Sequence, residues 1–149
     1  MSDTNFYYVP EQPIFVPTKE AADNAVLWLR TKILAQSITA QVTDHPEFFH
    51  GFGNWDGVFC PACGADAKPW WSDAMSAAFD ESRFDSLDVT ASCCNATVSL
   101  NHMRYGWPAA FGRFSIEAEI TTAPNLNLDQ LDELGRLIGC TMREIIMRI

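Results

Sequence analysis

The stretches "GVFCPACGAD" (57–66) and "TASCCNATVSLN" (90–101) hold four of the chain's five cysteines, and their spacing decides how the middle of the chain is built. In the first, Cys60 and Cys63 stand three positions apart with Gly64 next. That is the pattern of a tight knuckle whose backbone N–H groups point at the sulfurs, and Gly64 supplies the backbone freedom such a turn needs. Zinc takes four soft or borderline ligands in a tetrahedron, usually from two such pairs. The second pair begins at Cys93, and a loop or helix fits easily between the two.

The second pair is irregular, because Cys93 and Cys94 are adjacent. Neighbouring side chains in an extended chain point to opposite faces, so both reach one metal only from a turn. Three arrangements are open. The turn brings both thiolates to the metal. Or Cys94 takes the usual second place and Cys93 stands in for a first cysteine whose expected position is Ala91. Or one thiol is a bystander and His102, His50 or Asp56 completes the set. The expected ligands are Cys60, Cys63, Cys93 and Cys94, with zinc in a structural role.

Other chemistries fit the cysteines less well. A redox Cys-x-x-Cys opens a helix whose dipole lowers the first thiol's pKa. "CPAC" does follow the strand-like "GVF", but "GADAKP" is a poor helix start. A catalytic zinc needs an open position and a polar cleft. Asp66, Asp73, His50 and His102 are available nearby, without a His-Glu-x-x-His pattern or a His-x-Glu before the cysteine pair. Cys140 sits beside apolar residues and reads as a small buried hydrophobe. Neither a Walker loop with its lysine nor a Gly-x-Gly-x-x-Gly occurs, so the sequence assigns no catalytic or nucleotide-binding residues.

On either side of this centre (44–113) the pattern becomes β-α-β-like. "NFYYV" suits a strand. Thr18 can cap a helix over 18–31, in which Ala21, Ala22, Ala25, Val26 and Leu29 recur at helical spacing. "SITAQVT" then alternates as a half-buried strand. Towards the C-terminus, "RFSIEAEI" places Phe114, Ile116, Ala118 and Ile120 on one face. "NLDQLDELGRLIG" follows as a helix with a capping box at Asn127 and Gln130, a buried stripe of Leu128, Leu131, Leu134 and Ile138, and a stop at Gly139. "REIIMRI" offers Ile145, Met147 and Ile149 as a last strand. Within the centre, "DHPEFFHGFGNWDGVF" predicts hairpin strands, "WSDAMSAAFDE" a short helix capped by Ser72, and "SLDVTASCCNATVSLN" two short strands turning at the second pair. The expectation is one α+β domain over 1–149, a small sheet with two flanking helices around a zinc-ribbon-like β insertion.

The 149 residues, 48% of them apolar, suffice for a real core without a metal. Nineteen acidic against ten basic residues leave a charge of −9, which repels nucleic acid at long range. The N-terminus has neither the basic start nor the apolar core of a secretory signal, and no apolar run spans a bilayer. An odd cysteine count with two adjacent points to a reducing cytoplasm. In "SLNHMRYGWPAAFGRF", Arg104, Tyr105, Trp107 and Phe111 are residue types favoured at interfaces and form a possible interaction patch, although large aromatics are more often buried.

Taken together, "CPACG", the second cysteine pair, the "SLN…M.Y.WP..FGRF" stretch and the closing strand-helix-strand resemble a group of small uncharacterised bacterial proteins with an embedded CPxCG zinc ribbon. The resemblance covers about residues 14–149 on the extent of these elements. It implies metal binding at Cys60, Cys63 and Cys94, with Cys93 the fourth candidate. The chain departs from that pattern at Ala91, where a cysteine is usual, and at Asn95, where a glycine is usual. The expected function is therefore a cytoplasmic, non-enzymatic interaction or accessory protein with structural zinc and a protein partner, away from membranes and nucleic acid. The alternatives are a small metal-dependent hydrolase with an open zinc position and a nucleic-acid-associated zinc ribbon.

Overall fold

Alternating apolar residues at the two ends of the chain build one sheet, and the cysteine-bearing middle is set into a connection between two of its strands. The computed structural model describes residues 4–51, 56–120 and 125–148. In chain order, β1 (Thr4–Pro10), α1 (Lys19–Arg30) and β2 (Ser37–Phe49) lead into the insertion. This contains β3 (Val58–Phe59), α2 (Lys68–Ser82), β4 (Asp88–Thr90), β5 (Thr97–Ser99) and β6 (Arg104–Tyr105). Then β7 (Ala110–Ile120), α3 (Leu128–Ile138) and β8 (Met142–Arg148) follow.

The main sheet has the order β2-β7-β1-β8, and every pair in it is antiparallel. The two β-α-β flanks are thus not two independent units with neighbouring strands. β1 and β2 run the same way with β7 between them, and β7 and β8 run the same way with β1 between them. The flanks interleave as the split βαβ arrangement of ferredoxin-like β-α-β-β-α-β domains. Interleaving makes every ladder antiparallel, the more stable pairing per residue. It also brings α1 and α3 into one apolar layer: Ala25 and Leu29 of α1 and Leu134 and Ile138 of α3 pack with Phe6, Tyr8, Phe114 and Ile116 of the sheet.

Local signals explain the helix ends. The Thr18 side chain accepts the Ala21 N–H at α1. At α3, Asn127 and Gln130 cap each other reciprocally, and Gly139 ends the helix at φ 98°, where an L side chain is strained. Leu128 departs from the expected stripe: it is 80% exposed, because the first turn of α3 projects beyond the layer that Leu134 and Ile138 fill. In β8 the buried residues are Met142 and Ile145, and Ile149 lies outside the described residues.

The insertion runs from 50 to 109, shorter than expected, because β2 continues as strand through Phe49 and β7 starts at Ala110. The anticipated hairpin before the first cysteine pair is therefore mostly sheet, with an irregular register between Val42 and Glu47; residues 52–55 of that stretch lie outside the described residues. The middle helix is longer than expected and is not capped by Ser72, which sits inside it. It starts at Lys68, whose N–H is taken by the Asp66 carboxylate (2.9 Å), and Pro69 occupies the first turn, where no N–H partner is needed.

The insertion has its own core of Val58, Cys60, Trp70, Ala91, Val98, Leu100, Met103 and Phe111. Two residues of the sheet strands enter it. Phe111 at the start of β7 packs at a tilt against Phe48 at the end of β2 (4.7 Å between ring centres) and meets Phe84 edge-on (5.1 Å). A polar clamp adds a second link. Asn101 is 3% exposed and donates to Glu11 O (2.9 Å). Its Oδ1 accepts from the Phe111 N–H (3.3 Å) and from Arg143 Nη1 (3.1 Å), which also donates to Asn101 O (3.0 Å). β8 is thereby tied to the insertion through groups whose hydrogen bonds are satisfied on both sides.

Candidate metal centre

Each cysteine pair sits in a turn with the same backbone closure. In the first, the Cys60 N–H donates to Ala65 O (2.8 Å) and the Gly64 N–H to Cys60 O (2.9 Å), with Gly64 at φ 78°. In the second, the Ala91 N–H donates to Ala96 O (2.9 Å) and the Asn95 N–H to Ala91 O (2.7 Å), with Asn95 at φ 61°. Position by position, Ala91 corresponds to Cys60, Cys94 to Cys63 and Asn95 to Gly64. Cys60 and Ala91 are both fully buried. Asn tolerates the left-handed conformation better than other side-chain-bearing residues, which is why the turn closes without glycine.

Of the three arrangements open from sequence, the one found has both Cys93 and Cys94 at the cluster, with Cys93 off the knuckle register. The four sulfurs of Cys60, Cys63, Cys93 and Cys94 lie within 4.8 Å of one another. Cys60 Sγ is 3.9 Å from Cys94 Sγ, and Cys63 Sγ is 3.4 Å from Cys93 Sγ. A tetrahedron with metal–sulfur bonds of about 2.3 Å has edges of about 3.8 Å. The donor set therefore fits a four-coordinate metal ion, and the four cysteines could hold one. Among the described residues no histidine or carboxylate joins this group.

The electrostatics are uneven. Backbone N–H groups of Cys63 and Ala62 hold the Cys60 thiol down at about 7, against the desolvation that raises it. At Cys94 the Ala96 N–H pulls the thiol down, but desolvation and the Cys60 and Cys63 sulfurs outweigh it and leave it above its ordinary value. Cys93 is pushed up to about 12, by desolvation first and then by Cys63 and Cys60, with the Trp70 side chain pulling the other way. No backbone N–H ranks among the main influences on Cys93.

The remaining sequence candidates lie elsewhere. His50 is half-buried and stacks on Phe48 (5.2 Å), and burial lowers its pKa. The Asp66 carboxylate accepts the Lys68 N–H just before α2, and Asp56 and Asp73 are exposed. His102 and the half-buried Cys140 line a groove of 910 Å³ with Glu11, Asp85 and Asp88; none of the four clustered cysteines lines it. The proposed interaction patch does not form one surface. Phe111 is fully buried, and its size and position make it a core residue of the insertion. Tyr105 is half-buried, its hydroxyl donating to Leu100 O (2.6 Å). Trp107 is also half-buried, its indole donating to Ile146 O (2.9 Å), and only Arg104 is exposed.

Two features escape sequence reasoning. Asn101 and Arg143 carry no motif, since their meaning lies in a contact across 42 positions. Trp70 reads from sequence only as half of an aromatic pair, yet its indole lies against the sulfur cluster. No protein-family model matches this chain, and neither a curated protein nor a solved structure does.

Proposed function

We propose that Cys60, Cys63, Cys93 and Cys94 hold one structural zinc ion as thiolates, and that the chain is a non-enzymatic accessory protein presenting its zinc-stapled, ribbon-like insertion to a protein partner. The observation that carries this reading is the convergence of four sulfurs, from two matched turns, onto edges close to those of a tetrahedron. Four thiolates saturate zinc's preferred coordination and leave no position for water or substrate, which favours a structural over a hydrolytic metal. The acidic charge disfavours the nucleic-acid alternative. Membership among small bacterial CPxCG ribbon proteins and a cytoplasmic location belong to the same proposal, resting on the cysteine pattern and on the thiolate use expected in a reducing compartment. No helix among the described residues is long and apolar enough to cross a membrane.

In this reading the ion ties the turn after β3 to the turn between β4 and β5, across the whole of α2, and so contributes directly to the stability of the insertion. Metal analysis of natively purified protein should return one zinc per chain, and a strong chelator should lower the unfolding midpoint. Protein that carries no metal and melts unchanged in chelator would overturn the zinc reading. For the accessory role, a complex isolated with the native chain should dissociate on chelation. A complex that is indifferent to both chelator and Cys63→Ser would remove the insertion from the partner surface.

A further inference from the structure

Trp70 Nε1 is a fully buried donor with no hydrogen-bond acceptor of adequate geometry. Leaving such a group unmatched costs on the order of 1–3 kcal/mol, so its position calls for an acceptor. Trp70 lies on the first turn of α2, directly after the first knuckle, and packs in the same apolar cluster as Cys60 and Ala91. The indole N–H lies at the Cys93 side chain, whose main influences include that indole and no backbone N–H. A thiol is a weak acceptor, whereas a metal-bound thiolate is a charged one. An N–H that finds no partner beside a thiol is well placed for a thiolate.

We propose that Trp70 donates its indole N–H to the metal-bound Cys93 thiolate, making it the positioning residue that lets Cys93 serve as fourth ligand in place of residue 91. This deepens the zinc reading and rests on it. Two of the other ligands already have backbone donors: Cys60 has the Ala62 and Cys63 N–H groups, and Cys94 has that of Ala96. A zinc ion with four thiolates carries two excess negative charges, in a chain that is already strongly acidic. Each N–H donor spreads that charge and fixes the orientation of the sulfur it meets. Cys93 stands off the first position of its turn, and α2 delivers the Trp70 indole to it.

The test uses the full chain loaded with zinc or with Co(II). Trp70→Phe removes the N–H and keeps an aromatic ring. Incorporation of benzothienylalanine at position 70 keeps the shape of indole and replaces only N–H by sulfur, so a folding defect in the first variant does not end the test. Both should bind zinc roughly 10–100-fold more weakly, the usual loss for an outer-shell partner. The thiolate-to-Co(II) charge-transfer band should move to longer wavelength, and Cys93 should be alkylated faster by iodoacetamide in the zinc-loaded protein. Trp71→Phe is the control, since Trp71 Nε1 donates instead to the Tyr105 hydroxyl (3.4 Å), and it should leave affinity and band in place. If wild-type protein binds zinc tightly and the benzothienylalanine variant matches it in affinity, band position and Cys93 reactivity, the Trp70 role is wrong while the zinc site stands. If wild-type protein binds no metal at all, both fall.

Discussion

The Cys60–Gly64 and Ala91–Asn95 turns close with the same pair of backbone hydrogen bonds, and both place a left-handed residue at the fifth position. They differ in where their sulfurs stand. The first presents cysteines at its first and fourth positions. The second has alanine at its first position and cysteines at its third and fourth. The backbone shape of a knuckle therefore does not depend on its first cysteine. It needs a residue that accepts positive φ and two carbonyls placed to close the turn. What the missing cysteine removes is local: a sulfur held within reach of the turn's own N–H groups. The second turn recovers the fourth sulfur from Cys93, an exposed residue whose free thiol is pushed up to about 12 by desolvation of the sulfur at the cluster and by the neighbouring thiols.

That comparison can be broken most decisively by moving the thiol. Cys93→Ala alone should cost more zinc affinity than the roughly 100-fold typical of an outer-shell loss. Ala91→Cys combined with Cys93→Ala should restore it by making the turns equal, as competition with a chromophoric chelator would measure. If the double variant binds no better than Cys93→Ala, the two turns are not equivalent.

The next effect separates the insertion from the sheet. Asn101→Ala leaves the Phe111 N–H without its buried acceptor and takes one acceptor from Arg143, which keeps the backbone oxygens of residue 101 and Ala109, and should destabilise the chain by about 1–3 kcal/mol in urea unfolding. Zinc affinity should be unchanged, because the clamp touches no ligand. A parallel loss of zinc would mean that the insertion does not hold its own core.

Smaller effects probe the fifth positions. A Cβ at Gly64 meets no atom within 4 Å, so Gly64→Ala should cost only the strain of positive φ, about 1–2 kcal/mol. Asn95→Gly should stabilise by roughly 0.5 kcal/mol, since Asn already tolerates that conformation. The two changes in thermal midpoint should thus have opposite signs.

The smallest effect is seen in alkali. Desolvation raises Tyr105 of the insertion to about 12 and Tyr8 of the sheet further still. A folded-state pKa above the unfolded value of about 10 means that this stability is complete below pH 10 and is lost as pH rises through about 12. With the half-buried Tyr7 replaced by Phe, phenolate absorbance at 295 nm should therefore stay low at pH 10 and rise only with the loss of near-ultraviolet circular dichroism. Free titration near pH 10 would contradict the burial of both rings.

Much of this was legible in the chain because it is local. The capping box of α3, the Gly139 stop and the Thr18 cap each depend on residues within four positions of one another. The irregularity at Ala91 and Asn95 could be read by laying one short turn over another. The α2 boundary was missed because its first turn is set by Asp66 and Pro69, which look like loop residues until the knuckle has oriented the chain. Phe111 was read as a surface candidate because aromatic content near an arginine says nothing about which side of a strand faces a core.

The sequence by itself determined the helices, the alternating strands, the four thiols and the turn in which each pair sits. These follow from periodicity, capping and backbone sterics acting over a few residues. Only the tertiary structure decided that the flanking strands interleave, that Asn101 and Arg143 clamp the insertion to the sheet, and that both Cys93 and Cys94 reach the sulfur cluster. Those outcomes depend on contacts between residues tens of positions apart, whose free energy exists only once the intervening chain has folded.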